Sequence, residues 1–114
     1  MIKTERIYNA PTGDDFRILV DRLWPRGLRK DELKVDLWLK EIAPSADLRK
    51  WFSHDPEKWS VFKKKYKSEL SRKEDIFNRI WEIEREKGTV TLVFGAKDEK
   101  MNDAVVLLSA LMNA

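Results

Sequence analysis

The fold of this chain is decided by the stretch Arg17-Ile18-Leu19-Val20-Asp21-Arg22-Leu23-Trp24-Pro25-Arg26-Gly27. Residues 18–20 are apolar without interruption, which is typical of a strand covered on both faces. An acid, two arginines and a tryptophan follow, and Pro25 and Gly27 favour a loop there. In open α/β sheets, ligands bind beyond the carboxyl ends of the strands. The stretch therefore predicts a ligand site at one edge of the domain.

Composition indicates one packed domain. The 114 residues are enough for a single core, and 42% of them are hydrophobic. Charged residues reach 38%, with many Lys and Glu, and cysteine is absent, which together favour a cytoplasmic protein. The net charge of +3, from 23 basic and 20 acidic side chains, is smaller than strong non-specific nucleic-acid binders usually carry.

Two other classes are disfavoured by the sequence. No apolar run approaches the roughly 18 residues of a membrane span, and residues 1–6 lack the apolar core of a signal peptide. Without cysteine, and with a single histidine, the chain has too few of the usual ligands for a structural zinc site. We therefore expect no membrane segment and no metal site, and the sequence identifies no cofactor.

The first half of the chain predicts two strands and then helices. Residues 2–8 read as a strand, followed by the strand of residues 18–20 and a short helix at residues 30–34. Residues 35–42 fit either a helix or a segment that begins extended. Ser45 can cap a helix that carries Leu48, and Asp55 with Pro56 predicts the start of a helix over residues 56–70.

The second half predicts a helix, a buried strand and a last helix. Ser71 and Glu74 fit a capping box, and Gly88 fits a left-handed helix end. Residues 89–94 form a second apolar strand, and residues 99–112 form the last helix. The predicted core stripe of that helix comprises Met101, Ala104, Val105, Leu108, Leu111 and Met112. Buried strands separated by helices favour parallel pairing, so we expect an α/β fold over residues 1–114, a single compact layered domain with a short, mostly parallel sheet flanked by helices.

Several motifs along the chain together carry a family resemblance. Besides the opening stretch they are Trp38, Ala43-Pro44-Ser45, Leu48-Arg49, His54-Asp55-Pro56, Trp59, Phe62, Tyr66, Glu69-Leu70, Thr91-Leu92, Ala96-Lys97-Asp98 and Asn102. In this order the set resembles domain-of-unknown-function family 488, the YeaO-like proteins. The resemblance implies a small cytoplasmic domain of bacteria and archaea and implies no particular activity. Phe94-Gly95 departs from the Tyr-Ala often found there, and Asp103 lies where variation is expected.

The first charged cluster comprises Asp21, Arg22 and Arg26. Arginine offers a planar, permanently charged fork suited to phosphate or carboxylate. Asp21 could orient an arginine or, when partly desolvated, act as a base. The alternative is a structural ion-pair network that holds the loop, and the sequence leaves the two interpretations equally supported.

The second cluster comprises Lys97, Asp98 and Asn102, between the last strand and the last helix. A helix amino terminus favours anions, and Lys97 would add positive charge. The favoured role of Asp98 is nevertheless an N-cap, with proton transfer as the alternative, and Asn102 could simply bond a neighbouring loop. If the two apolar strands are adjacent and parallel, both clusters face one crevice.

The single histidine and the aromatic residues have weaker signals. His54 titrates near neutrality, so it is a candidate acid or base, although bonding to the backbone is the favoured role. Trp24 lies in the charged loop and could cover a ligand ring, whereas the other tryptophans, Trp38, Trp51, Trp59 and Trp81, fit core packing. The Lys-rich run over residues 63–67 could contact nucleic acid, but a solvated helix face is favoured.

Three functional hypotheses follow. The first is a small-ligand domain, which could be an enzyme, that binds a phosphorylated or nucleotide-like anion at the strand ends. In that hypothesis Arg22, Arg26, Lys97 and Asn102 bind the ligand, Trp24 stacks on it, and Asp21, Asp98 or His54 transfers protons. The alternative is a nucleic-acid-binding accessory protein that uses the Lys-rich helix and basic loops. The third is a protein-interaction module. The sequence offers no exposed apolar stripe to support it, because the core needs every apolar stripe of the chain. The sequence does not predict an oligomeric state.

Overall fold

A parallel sheet with helices packed on one face organises the domain. The computed structural model describes residues 1–9, 11, 13–29 and 31–113, and in these it contains four strands and four α-helices. The strands are β1 (Ile2–Arg6), β2 (Phe16–Leu19), β3 (Leu37–Trp38) and β4 (Val90–Phe94). The helices are α1 (Ala46–Phe52), α2 (Trp59–Leu70), α3 (Glu74–Lys87) and α4 (Asp103–Met112). The expected α/β class is confirmed.

The apolar run of β4 occupies the centre of the sheet. The strand order is β1-β4-β2-β3, and all neighbouring pairs are parallel. Val90 is in register with Ile2 on one side and with Phe16 on the other. Every residue of β4 is buried, as a continuous β-branched and apolar sequence predicts. Because β2 and β4 are adjacent and parallel, the segments that follow them leave the sheet at the same edge.

The two faces of the sheet are covered differently. Ile18 and Val20 belong to the main core, in which strand residues pack against side chains of all four helices. Leu19 points the other way, because side chains alternate along a strand, and it packs with Ile7 and Val93. The loop between β2 and β3 covers this second face with side chains that include Trp24 and Val35, and Trp38 of β3 packs beside them. The helices therefore flank the sheet on one face, and an irregular segment covers the other.

Local sequence signals explain several of the observed helix ends. Ser45 caps α1, its side chain accepting from the Leu48 N–H at 3.2 Å, as predicted. Asp55 accepts from the Glu57 N–H at 3.0 Å, and Pro56 begins a 3₁₀ turn that leads into α2. Gly88 ends α3 with φ of 88°, a value that glycine adopts without steric cost.

Two predictions in the first two thirds of the chain are corrected, and one segment that the sequence left open is settled. Residues 31–33 form turns rather than a helix, and Lys30 lies outside the described residues. Residues 35–42 begin extended, pair as β3 and end in the 3₁₀ turn Lys40–Ile42. The capping box is wrong because Ser71 keeps helical torsion angles, and its hydroxyl donates back to the Ser68 carbonyl at 2.6 Å. Lys73 occupies the N-cap of α3 without a side-chain cap bond.

The last helix begins later than predicted. Asp98 caps a tight turn, Asn102 is the N-cap, and α4 starts at Asp103. The predicted core stripe is therefore shifted along the helix. The buried residues of α4 are Ala104, Val106, Leu107 and Leu111, whereas Met112 is 68% exposed. In the described residues, the search for a helix long and apolar enough to cross a bilayer finds none.

Candidate functional site

A cavity of about 340 Å³ opens beyond the ends of β2 and β4. We call it the strand-end cavity. It is lined by residues 21–26 after β2, residues 95 and 96 after β4, the start of α4, and parts of α1 and α2. Aromatic and proline side chains form much of its wall, with charged groups among them. Its position agrees with the site predicted from the opening stretch.

Two acids meet in this cavity. Asp21 follows β2, Asp103 begins α4, and their side chains are hydrogen-bonded to each other. We call this pair the carboxyl dyad. The Gly95 N–H donates to Asp21 Oδ2 at 2.7 Å, and the Ala104 N–H donates to Asp103 Oδ1 at 2.9 Å. Two carboxyl groups in contact can form a hydrogen bond only when one of them carries a proton, and the raised pKa of Asp103 favours that form.

Burial and mutual repulsion change the acidity of the carboxyl dyad. Burial raises the pKa of Asp103 well above its usual value, and the neighbouring charge of Asp21 raises it further. Burial also raises the pKa of Asp21, although the hydrogen bonds from Asp103 and Gly95 and the charge of His54 oppose this. Ionising both carboxyls while they are in contact costs free energy, because the two negative charges repel each other. Burial and repulsion therefore favour the protonated form of Asp103.

A glycine makes the position of Asp21 possible. A Cβ atom at residue 95 would lie 3.2 Å from Asp21 Oδ2, closer than ordinary van der Waals contact. Gly95 thus lets its own N–H approach the carboxylate closely. The departure noted at Phe94-Gly95 therefore falls directly on a partner of the carboxyl dyad.

A buried tyrosine lies beneath the dyad without donating to it. Tyr66 is fully buried, and its hydroxyl donates to the Ile42 carbonyl at 2.7 Å. Burial raises its pKa well above the usual value, and the charges of Asp103 and Asp21 add to this effect. Because the Tyr66 hydroxyl already donates its proton to Ile42, it does not donate to the carboxyl dyad. The known donors to the dyad are backbone N–H groups and the partner carboxyl.

Three arginines supply positive charge around the cavity. The Nε of Arg22 donates to the Pro44 carbonyl at 3.1 Å, which fixes its guanidinium. Arg26 and Arg49 also line the cavity, are exposed, and have no side-chain hydrogen bond or ion pair within the described part of the chain. No ion pair joins Asp21 to Arg22 or Arg26, all three of which are described. The structural ion-pair network considered for this cluster is therefore not formed.

His54 reaches the cavity through a strained turn. Ser53 and His54 have φ of 46° and 57°, and they are the only described non-glycine residues with positive φ. The left-handed conformation costs an L-residue about 1–2 kcal/mol. Such strain persists where the surrounding structure enforces it, often at functional sites. The exposed imidazole of His54 lines the cavity, which keeps it a candidate for proton transfer.

Trp24 forms a fixed wall of the cavity. Its indole N–H donates to the Leu28 carbonyl at 2.7 Å, and its ring meets Trp38 edge-on at 5.3 Å. The Trp38 indole in turn donates to the Asp21 carbonyl at 2.8 Å. Through these contacts, the position of Trp24 depends on that of Asp21. Trp24 is half-buried and available to a ligand ring only at the part that faces the cavity.

The second predicted cluster reaches the cavity only in part. Asp98 accepts from the Lys100 and Met101 N–H groups at 2.8 and 2.9 Å, which lowers its pKa. Asn102 lines the cavity, but its amide accepts from Val105 and donates to the Asp98 carbonyl. Lys97 is exposed and, like Asp98, is not among the residues that line the cavity.

Asp103 and Arg49 are site residues that were not predicted from the sequence, and only Asp103 had a signal that could have found it. Asp103 was treated as a variable position inside a helix that starts at residue 99. A start of α4 at Asn102, a good N-cap residue, would have placed an acid in the first turn beside the end of β4. Metal ligation is not suggested either, because no group of three His, Cys, Asp or Glu residues in the described part could hold an ion.

Comparison with known proteins identifies the family. The chain matches the family model described as the inactive DUF488-N3 subclade over residues 1–114, and it belongs to that family. It is 42% identical over 107 residues to the uncharacterized protein YeaO of Escherichia coli, covering 93% of this chain and 92% of that protein. It is 44% identical over 70 residues to the uncharacterized protein Rv3073c of Mycobacterium tuberculosis, covering 60% of this chain and 59% of that protein. No solved structure matches the chain. The resemblance drawn from the motifs is confirmed.

Proposed function

We propose that this domain binds a phosphorylated, nucleotide-like anion in the strand-end cavity. The observation that carries the proposal is the convergence of three guanidiniums and the carboxyl dyad on one cavity at the strand ends. Pockets that bind small molecules have volumes of about 300–1,000 Å³, mostly apolar walls and a few placed polar groups. The strand-end cavity, at about 340 Å³, lies at the small end of that range.

The arginines supply the affinity for the anion. Arg26 and Arg49 can each offer an unengaged planar fork, which suits the paired oxygens of a phosphate. Arg22 is held by Pro44 through Nε only, so its terminal N–H groups remain for a ligand. Only Arg22 is preorganised by such a bond, whereas Arg26 and Arg49 must be ordered when the anion binds, which costs side-chain entropy.

The family description supports binding of the anion without a chemical reaction. The family model is described as inactive. We therefore assign Asp21 and Asp103 to recognition of the ligand, with no proton-transfer step.

A calorimetric titration with matched arginine variants tests this function. The probes are the four common ribonucleoside monophosphates, ribose 5-phosphate and inorganic phosphate. Loss of charge-assisted bonds in Arg26→Ala/Arg49→Ala should weaken binding about 10-fold or more. Arg79→Ala/Arg85→Ala removes two exposed arginines of α3 that do not line the cavity, and it should bind as the wild type does. Equal affinity in both double variants, or no binding of any probe, contradicts the proposal.

The alternative use of the Lys-rich helix has less support. The ammonium groups of Lys63 and Lys65 lie over the rings of Trp59 and Trp51, at 5.6 and 4.2 Å from the ring centroids. These lysines therefore already have partners on the protein. The same titration with a short single-stranded RNA separates the two functions, because binding through lysines should fall steeply with salt.

A further inference from the structure

The carboxyl dyad presents two kinds of hydrogen-bonding group at one place. A protonated carboxyl can donate, and a carboxylate only accepts. One backbone N–H satisfies one oxygen of each residue, from Gly95 to Asp21 and from Ala104 to Asp103. The mutual bond uses one further position, so each carboxyl keeps acceptor capacity in a cavity that both residues line.

The groups around the dyad do not neutralise it. On α2, Tyr66 gives its proton to Ile42, and Glu69 accepts from the Ser45 N–H and hydroxyl at 2.8 and 2.7 Å. His54, on the turn after α1, is the nearby group whose positive charge would favour ionised Asp21. Arg22 donates through its Nε to the Pro44 carbonyl and forms no ion pair with Asp21, both residues being described. The two acids therefore meet without a cation paired to them, which favours a proton on one of them.

We propose that the carboxyl dyad recognises the nucleobase of a nucleotide whose phosphate is held by Arg26 and Arg49. This inference rests on the proposed function and names its ligand class. A phosphate would be repelled by the negative pair, whereas a ring edge that carries both N–H donors and a nitrogen or oxygen acceptor complements it. The wall of the cavity near the dyad includes Trp24, Phe52 and Phe62, which suits a flat aromatic ring.

The same arrangement disfavours a bare sugar phosphate. Ribose 5-phosphate can place its phosphate on the arginines, but it has no ring edge to match the donor and acceptor of the dyad. It also leaves the aromatic wall uncovered. A site built for a particular hydrogen-bonding group discriminates against analogues that lack it, because its own polar groups are then left unpaired.

The test compares two classes of phosphate ester on two matched variants. Asp103→Asn removes one acid of the dyad together with its proton, and Asp75→Asn makes the same change in the first turn of α3, away from the cavity. The probes are AMP, GMP, CMP and UMP, with ribose 5-phosphate as the reference. One well-placed pair of hydrogen bonds to a base is worth about 10-fold or more in discrimination.

Wild type and Asp75→Asn should bind the preferred nucleotide about 10-fold more tightly than ribose 5-phosphate, and Asp103→Asn should lose that preference while still binding ribose 5-phosphate. Asp21→Asn, checked for folding by circular dichroism, should behave as Asp103→Asn does. Equal binding of nucleotides and ribose 5-phosphate by the wild type, or an unchanged preference in Asp103→Asn, overturns the inference and leaves the proposed function standing. No binding of any phosphate overturns both.

Discussion

The two ends of β2 carry charge in opposite arrangements. At its start, Arg17 is 4% exposed and pairs with Glu5 of β1 at 3.2 Å, a contact between opposite charges closed off from solvent. Just beyond its end, Asp21 meets Asp103, a like charge, in an open cavity. Removing one partner of a buried ion pair is strongly destabilising because it leaves an unpaired charge, whereas a like-charge pair costs stability and is often found at functional sites. The comparison indicates which charged cluster of the opening stretch holds the structure and which one serves a ligand.

The largest expected effect comes from breaking the buried ion pair. Arg17→Met should lower the free energy of unfolding by about 3–5 kcal/mol, because it leaves the buried carboxylate of Glu5 without its cation. Among the residues that the structure describes, the Nε of Arg17 and the Oε1 of Glu5 have no hydrogen-bond partner, and one bond joins the pair. Arg17→Met/Glu5→Leu should therefore recover most of the loss. Urea denaturation measures both, and a double variant no more stable than the single one contradicts the assignment.

The opposite sign is expected at the carboxyl dyad. Asp103→Asn should raise the free energy of unfolding at pH 7 by about 1 kcal/mol, because it removes the cost of keeping a buried acid protonated at that pH and offers Asp21 an amide donor. Urea denaturation beside Asp75→Asn, which should change little, measures this. A large loss of stability in Asp103→Asn would mean that the dyad is structural.

The pH dependence of the unfolding free energy should differ between Asp103→Asn and the wild type. The pKa of Asp103 is raised in the folded state above its usual 3.8, so the folded chain keeps a proton that the unfolded chain has released. The resulting contribution to stability is fully present below about pH 4 and is lost as pH rises through the raised pKa. The difference in unfolding free energy between Asp103→Asn and wild type should therefore grow with pH above 4. The lowered pKa values of Asp15 and Asp98 act in the opposite direction but cancel in this difference. A difference that stays constant from pH 4 to 8 contradicts the raised pKa of Asp103.

The strained turn beside the cavity should give a smaller gain. Ser53→Gly should stabilise the protein by about 0.4–1 kcal/mol, because glycine adopts the left-handed conformation of residue 53 without a steric penalty. Thermal unfolding by circular dichroism measures the gain. Ser60→Gly, at an exposed position in the first turn of α2, is the control and should destabilise the helix. Loss of stability in Ser53→Gly would show that the serine side chain matters more than the backbone.

The smallest effect is expected at Lys97. This side chain is exposed and does not line the cavity, so Lys97→Ala should change the free energy of unfolding by less than about 0.5 kcal/mol. Its effect on phosphate binding should also be smaller than that of Arg26→Ala in the same titration. A larger effect would restore the role predicted for Lys97 from the sequence.

The sequence predicted the location of the cavity better than its chemistry. The apolar runs of β2 and β4 required a buried parallel sheet, and both clusters after them followed from that geometry. The acid–acid contact could not be found in this way, because it depends on the first residue of α4. Asp98, Asn102 and Asp103 all fit a helix start, and local propensity does not choose among them. The structure of the loop over the second face could not be predicted either, because the apolar residues of 21–36 follow neither the helical nor the strand period.

The most direct test of anion binding in the strand-end cavity is a nuclear magnetic resonance titration of ¹⁵N-labelled protein. The Gly95 and Ala104 amides donate to the carboxyl dyad and the Trp24 indole N–H lies in the cavity wall, so these three signals report on the site. Addition of AMP should shift these signals most, with the Arg26→Ala/Arg49→Ala protein requiring higher concentrations for the same shift. Shifts confined to residues 63–67, or no shifts at all, would contradict the account.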